Sequence, residues 1–332
     1  MKVLLVYNPN AGHRIFAEYL DYLIERFQQK GLQLVFYRMD RSEGLDKVFA
    51  DVAADRQSYQ KIIASGGDGT INQVVNQMIK YDLDIPLGIF PMGTCNDYAR
   101  QFCPAKSLEK QANIILQDKF TYSDVGMVNQ KCFINVASMG VLIDTSQKTD
   151  DNAKKILGPL AYYLKAVGGV ANLEPIRVKI SSEEMNYDGE VLFLLVLNGQ
   201  SAGGFNKIGY MASVNDGLLD VLVLKKCMLV DLPTILFEII NGLHLQNKNI
   251  LAFKTKHLEI QCDDVAVTDI DGERAGAPPL DISVLPHRLR VLTPHINEPQ
   301  YSAKHGLVFP GVGEIDLREM LKKYWVFPKG KE

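Results

Sequence analysis

The feature that most limits how this chain can fold is a change of pattern near residue 118. Before it, the short apolar runs KVLLVY, LQLVFY (32–37), KIIAS and IPLGIF (85–90) alternate with stretches of helical period. Ile15, Tyr19, Leu20, Leu23 and Phe27 form one such stretch, and Ile71, Val74, Val75 and Met78 another. That alternation predicts an α/β domain over 1–118, a parallel sheet with flanking helices. After it come FTYSDVGMV, KCFINVAS, IRVKISS, EVLFLLVLNG, GLLDVLVL, HLEIQC, VAVTDID, LDISVL and RLRVLT, joined by Asn, Asp and Gly turns. Helical period returns only around 152–172 and 229–249. Short strands with such punctuation predict an all-β, antiparallel, sandwich-like second domain over 119–296. Residues 297–332 differ again and form a C-terminal segment. The length of 332 residues suits two domains.

Composition removes several classes of function. The chain is 47% hydrophobic and 23% charged, as a globular protein is. A net charge of −3 supplies no field for wrapping nucleic acid, so no nucleic-acid partner is expected. The five cysteines (Cys95, Cys103, Cys132, Cys227, Cys262) are far apart, without zinc spacing, and read as reduced thiols of a cytoplasmic protein. Val3 to Tyr7 is too short for the apolar core of a signal peptide. The stretch 156–173 contains Pro159, Lys165 and Gly168-Gly169; 229–243 carries Asp231, Pro233 and Glu238. Spanning a bilayer takes roughly 20 apolar residues, so no transmembrane segment is expected.

Three strand ends of the first domain share a small-residue loop followed by a helical pattern. They are Asn8-Pro9-Asn10-Ala11-Gly12, Gly66-Gly67-Asp68-Gly69-Thr70 and Pro91-Met92-Gly93-Thr94-Cys95-Asn96-Asp97. In a parallel sheet all three open on one edge, where exposed N–H groups and helix N-termini cradle an anion. The reading is a Rossmann-like nucleotide-binding domain in which glycine lets a phosphate approach the backbone. A bare carboxylate would repel that phosphate, so Asp68 implies an intervening Mg²⁺. There is no GxxxxGK[ST], no Asp-Phe-Gly and no HExxH.

NPNAG, GGDGT and PMGTCNDYAR together resemble the diacylglycerol kinase catalytic domain, as in the soluble bacterial lipid kinases. VGMVN (125–129), FINVASMGVLID (133–144), NDGLLDVLVL (215–224) and Asp271-Gly272-Glu273 follow in family order, so the resemblance covers roughly 1–294. It implies a nucleotide site at Asn10, Ala11, Gly12, His13 and Arg14, at Gly67, Asp68, Gly69, Thr70, Ile71, Asn72 and Gln73, and at Thr94. It further implies that Asp68 and Asp97 join a carboxylate–water–Mg²⁺ network. A structural Mg²⁺ is implied at Ser213, Asp216 and the Leu218 carbonyl. Glu273 matches the proton acceptor, with Asp271 and Asp124 in support. The chain departs from the pattern at Ala11, Arg41, Tyr98 and Gly209-Tyr210.

The implied activity is ATP-dependent phosphorylation of a lipid hydroxyl, with diacylglycerol converted to phosphatidic acid. The partner is then a lipid at a membrane surface, and the location the cytoplasm, peripheral at the inner face of the membrane. A homodimer is the base-rate expectation. Two alternatives stand beside it: an NAD kinase, which shares GGDGT, and a non-catalytic lipid-binding or regulatory protein. Against the first, the only Asn-Glu pair is Asn297-Glu298, and Asn198 is followed by Gly199. Asp271-Gly272 also reads as an ordinary two-residue hairpin turn. In the tail, Leu317, Met320, Leu321, Tyr324 and Trp325 share a helical face beside Arg318, Lys322 and Lys323. Such a face suits either an anionic membrane surface or the protein's own body.

Overall fold

The computed structural model describes residues 1–11, 15–39, 45–103, 107–140, 175–202, 208–209, 212–262, 266 and 268–294. Gly12, His13, Arg14, Arg41, Tyr210, the stretch 152–172 and the tail 297–332 lie outside the described residues.

Strands β1 (Lys2–Tyr7), β2 (Gln33–Arg38), β3 (Tyr59–Gly66) and β4 (Leu87–Pro91) pair in parallel, in the order β2-β1-β3-β4. Alternate side chains of a strand face opposite ways, so each strand feeds two cores. Leu4, Val6, Ile62, Ala64 and Ile89 pack with Phe49 and Val52 of α2 (Asp46–Ala54) and Ile71 and Val74 of α3 (Asp68–Lys80). Val3, Leu5, Ile63 and Phe90 pack with Leu23 and Phe27 of α1 (Leu20–Gln28) and with Ala112 and Ile115 of α4 (Leu108–Ile115). Burial on both faces explains why these strands read as unbroken apolar runs.

The second half pairs antiparallel through β5 (Phe120–Val128), β6 (Lys131–Phe133), β7 (Val136–Gly140), β8 (Ile176–Ser182), β9 (Asn186–Leu197) and β10 (Leu219–Lys225). It continues through β11 (Ile250–Thr255), β12 (His257–Cys262), β13 (Thr268–Ile270), β14 (Glu273–Arg274) and β15 (Leu280–Leu292). Val178, Ile180, Leu194, Val196, Val221, Val223, Leu258, Ile260 and Ile282 meet in one core, as a sandwich requires. Helix α5 (Leu232–Asn241) lays Ile235 and Ile239 over Leu222 and Leu224, and ends at the left-handed Gly242. His244 lies buried just beyond. Burial lowers the pKa of its imidazole, while the carbonyls of Ile208 and Glu238 pull the other way. No helix among the described residues is long and apolar enough to cross a membrane.

Two features differ from expectation. ILAFKT (250–255) is a strand, β11, that pairs only with β10; its half-exposed edge position blurs the alternation that marks a strand. LDISVL and RLRVLT, read as two strands around Pro286, are the single strand β15. Its register shifts between Leu285 and Leu289, and His287 takes φ 52° there. This strand pairs antiparallel with β12 and β5, then joins β4 in parallel at Val291↔Leu87. Phe120 and Leu292 consequently pack with Phe90, and Val125 and Val291 with Ile89. Both strands of the β5–β15 ribbon lie after residue 118, and β15 joins them to the sheet of the first half through β4.

Candidate active site

The three loops do converge on one sheet edge. At the end of β1 the Asn8 N–H donates to the Ser65 carbonyl (2.9 Å). Its Oδ1 accepts from the Asn10 N–H (2.9 Å), and its Nδ2 donates to Thr70 Oγ1 (3.4 Å). The Met92 N–H donates to the Gly66 carbonyl (2.8 Å), tying the third loop to the second. The glycines have two distinct tasks. A Cβ on Gly66 would lie 2.3 Å from Thr70 Oγ1, and one on Gly93 would lie 2.5 Å from the Cα of Gly67. Those positions serve contact of the chain with itself, not with a ligand. Gly69 alone of the GGDGT glycines faces open space.

Asp68, Gly69 and Thr70 form the first turn of α3, whose N–H groups have no acceptor within the helix. The first helical bond runs from the Ile71 N–H to the Gly67 carbonyl (3.1 Å). This turn, with exposed Asn10 and Thr94 on the flanking loops, forms the anion cradle. Three residues expected at the nucleotide site direct their side chains elsewhere. Ile71 is wholly buried in the core beneath α3; Thr70 is buried against Gly66; and Asn72 turns toward the second half of the chain.

Asp68 is fixed from three sides. Its Oδ2 accepts from the Asp97 N–H (3.0 Å), and its Oδ1 from the Tyr98 N–H (3.0 Å) and from Asn135 Nδ2 (3.3 Å). Cys95 senses the charge here: burial first, then the Asp97 and Asp68 carboxylates, push its thiol up to about 12. Two neighbouring carboxylates beside a helix N-terminus, with room at Asp68 Oδ2 for another donor, fit a hydrated Mg²⁺. Buried Tyr98 sets its hydroxyl 3.0 Å from Ser123 Oγ, which a phenylalanine could not do.

The late acidic segment forms the two-residue turn that the sequence offered as one of its readings. Asp271 (φ 49°) and Gly272 (φ 91°) make a two-residue turn in which Ile270 pairs with Glu273. Asp271 Oδ1 accepts from the N–H groups of Asn135 (3.0 Å) and Val136 (2.9 Å). Its Oδ2 accepts from the Ile134 N–H (2.7 Å) and from Asn72 Nδ2 (2.7 Å). Burial pushes its pKa up to about 7, opposed by these donors. With both oxygens doubly occupied, Asp271 is a clamp that holds the turn against α3, and not a group that reaches a substrate. Glu273, by contrast, is exposed, and its Oε1 accepts from Gln73 Nε2 at 3.3 Å.

Asp124 takes on another task than the one expected. Its carboxylate accepts from the N–H groups of Gly217 (2.7 Å) and His287 (2.6 Å), and its own N–H donates to the Val214 carbonyl (2.6 Å). Buried in this way, it braces the turn 213–218 against the kink of β15. In that turn Ser213 Oγ donates to Asn215 Oδ1 (2.7 Å), and Asp216 Oδ1 accepts from the Leu218 N–H (3.1 Å).

Asn135 was missed by the reading of the sequence. Its backbone binds Asp271 and its side chain binds Asp68, so it joins the two acids. The only signal was a lone amide inside the apolar run FINVAS, which alone does not specify a partner. Asn76 was missed likewise; it exchanges hydrogen bonds with the N–H (3.0 Å) and carbonyl (3.2 Å) of Cys132.

Residues 2–128 match the family model described as "Diacylglycerol kinase catalytic domain". Residues 135–293 match the "YegS C-terminal NAD kinase beta sandwich-like domain". A diacylglycerol kinase of Bacillus subtilis is 32% identical over 291 residues, 87% of this chain and 95% of that one. One from Staphylococcus haemolyticus is 30% identical, covering 87% of each chain. A crystal structure of a putative diacylglycerol kinase from Bacillus anthracis superposes with a TM-score of 0.75 at 25% identity, over 88% of this chain and 95% of that one. With both domains in order and that identity sustained along most of its length, the chain belongs to the diacylglycerol kinase family.

Proposed function

We propose that this protein is an ATP-dependent, Mg²⁺-requiring lipid kinase whose preferred acceptor is diacylglycerol, yielding phosphatidic acid. The observation that carries the reading is the 3.3 Å contact between Gln73 and Glu273, which sets an exposed carboxylate beside the anion cradle of α3. ATP is the substrate of the first half, its phosphates held by the N–H groups of residues 68–70 and the Thr94 hydroxyl. Mg²⁺, when bound near Asp68 and Asp97, supplies charge neutralisation at the phosphates. The acceptor hydroxyl oxygen attacks the γ-phosphorus, the bond to the β,γ-bridging oxygen breaks, and ADP leaves. Glu273 takes the hydroxyl proton as that bond forms. Asp271, Asn72 and Asn135 are positioning residues that hold Glu273 and Asp68 on one groove. The enzyme acts peripherally at the inner face of the cytoplasmic membrane, where such an acceptor resides.

Asn198, at the position where an NAD kinase reading asks for an Asn-Glu pair, is buried and donates its amide to the carbonyls of Asp124 (3.0 Å) and Ile134 (3.0 Å). Its amide nitrogen is committed to the fold. The test is transfer of radiolabelled γ-phosphate from ATP to a lipid panel in mixed micelles, with NAD as a control acceptor. Label in phosphatidic acid is expected; label in NADP, or in no acceptor, overturns the reading.

A further inference from the structure

The family resemblance implies a divalent cation at Ser213, Asp216 and the Leu218 carbonyl, and the side chains present do not fit one. Asp216 Oδ2 lies 2.8 Å from the Lys254 ammonium, while its Oδ1 already takes the Leu218 N–H at 3.1 Å. Lys254 sits on β11 directly across from Asp220 of β10, and its Nζ is also 3.1 Å from Asp220 Oδ2. One ammonium thus bridges two carboxylates that flank the turn. All three side chains are largely withdrawn from solvent, with 28%, 30% and 15% exposed for Lys254, Asp216 and Asp220. A Mg²⁺ bound to Asp216 at its usual distance of ~2.1 Å would stand within about 5 Å of that ammonium, a repulsion little screened at such a site.

We propose that Lys254 takes the place of the structural cation, so that the turn 213–218 closes without a divalent metal. An ordinary lysine ammonium is charged at neutral pH, and two carboxylates within 3.1 Å favour that state. The consequence reaches the catalytic half through covalent neighbours and hydrogen bonds. The turn presents the Gly217 N–H to Asp124, the next residue Ser123 meets the Tyr98 hydroxyl, and the Tyr98 N–H holds Asp68. Lys254 is therefore a positioning residue, placed where a metal-dependent relative would be sensitive to chelation.

The experiment needs no turnover, so its outcome is independent of the proposed kinase activity. Nucleotide-free full-length protein is dialysed against EDTA and then into metal-free buffer, with metal content measured before and after and thermal unfolding followed with and without added Mg²⁺ or Ca²⁺. The expected result is no stoichiometric divalent metal and an unfolding temperature unchanged by chelation. Lys254→Met, which keeps the stem and removes the charge, is expected to unfold several degrees lower in metal-free buffer and to recover in millimolar Mg²⁺ or Ca²⁺. Should that variant fail to fold, Lys254→Met combined with Asp216→Asn and Asp220→Asn removes all three charges and is expected to fold. Wild-type protein that retains one divalent ion and loses stability when stripped of it overturns the proposal. So does a Lys254→Met variant as stable as wild type in metal-free buffer.

Discussion

Gln73 Nε2 and Glu273 Oε1, 200 positions apart in the chain, lie 3.3 Å from one another and link the two halves. One turn of α3 thus touches the acidic hairpin twice, since the neighbouring Asn72 grips Asp271 at 2.7 Å. The glutamate stands free to act because the aspartate two residues before it does the holding.

Glu273→Gln preserves size and the contact with Gln73 but removes the base. General-base help is worth about 10²–10⁴-fold, so kcat is expected to fall by that factor with ATP affinity little changed. Single-turnover transfer beside equilibrium nucleotide binding checks this. A variant with wild-type kcat contradicts the role.

Asn135→Ala cuts the side-chain link from Asp68 to the clamp of Asp271. One lost hydrogen bond to a charged group corresponds to about 1.5–3 kcal/mol. Denaturant unfolding should register a loss of that order, and kcat should fall while the Kd for ATP changes less. Asn135→Asp, which sets a second carboxylate beside Asp68, is expected to be worse than alanine.

Glycine substitutions separate the two tasks within the loops. Gly93→Ala forces a Cβ to 2.5 Å from the Cα of Gly67 and is expected to lower the unfolding temperature sharply. Gly69→Ala meets open space inside a helix, where alanine is favoured by roughly 0.5–1 kcal/mol. It should leave stability intact or improved and weaken ATP binding, as read by calorimetry.

The pH dependence of stability follows from His244. Its folded pKa is lowered, chiefly by burial, so the unfolded chain binds a proton more readily than the native one. Stability is then complete above the ordinary value of 6.5 and declines as the pH falls below it. His244→Asn should flatten that decline between about pH 6.5 and 5 in thermal unfolding, within the titration range of an ordinary histidine.

Much of this arrangement was legible in the residues. Apolar strands buried on both faces announced the parallel sheet, and Asp-Gly between two short apolar runs announced the hairpin of residues 270–273. What stayed hidden depended on partners remote in sequence. That Thr70 and Gly93 fill the space beside Gly66 and Gly67 was not legible, because nothing local reveals such neighbours. The bracing task of Asp124 stayed hidden, because its partners are backbone N–H groups 93 and 163 residues away. Strand β15 looked like two, because Pro286 and a left-handed His287 interrupt its alternation without ending its pairing.

Because the ribbon of β5 and β15 runs from one core to the other, the two halves are not beads on a string. Relative motion between them has to flex a hydrogen-bonded ladder, and its softest point is the kink at His287, which Asp124 already grips. The spacing between Asp68 and Glu273 is thus largely set when the protein folds.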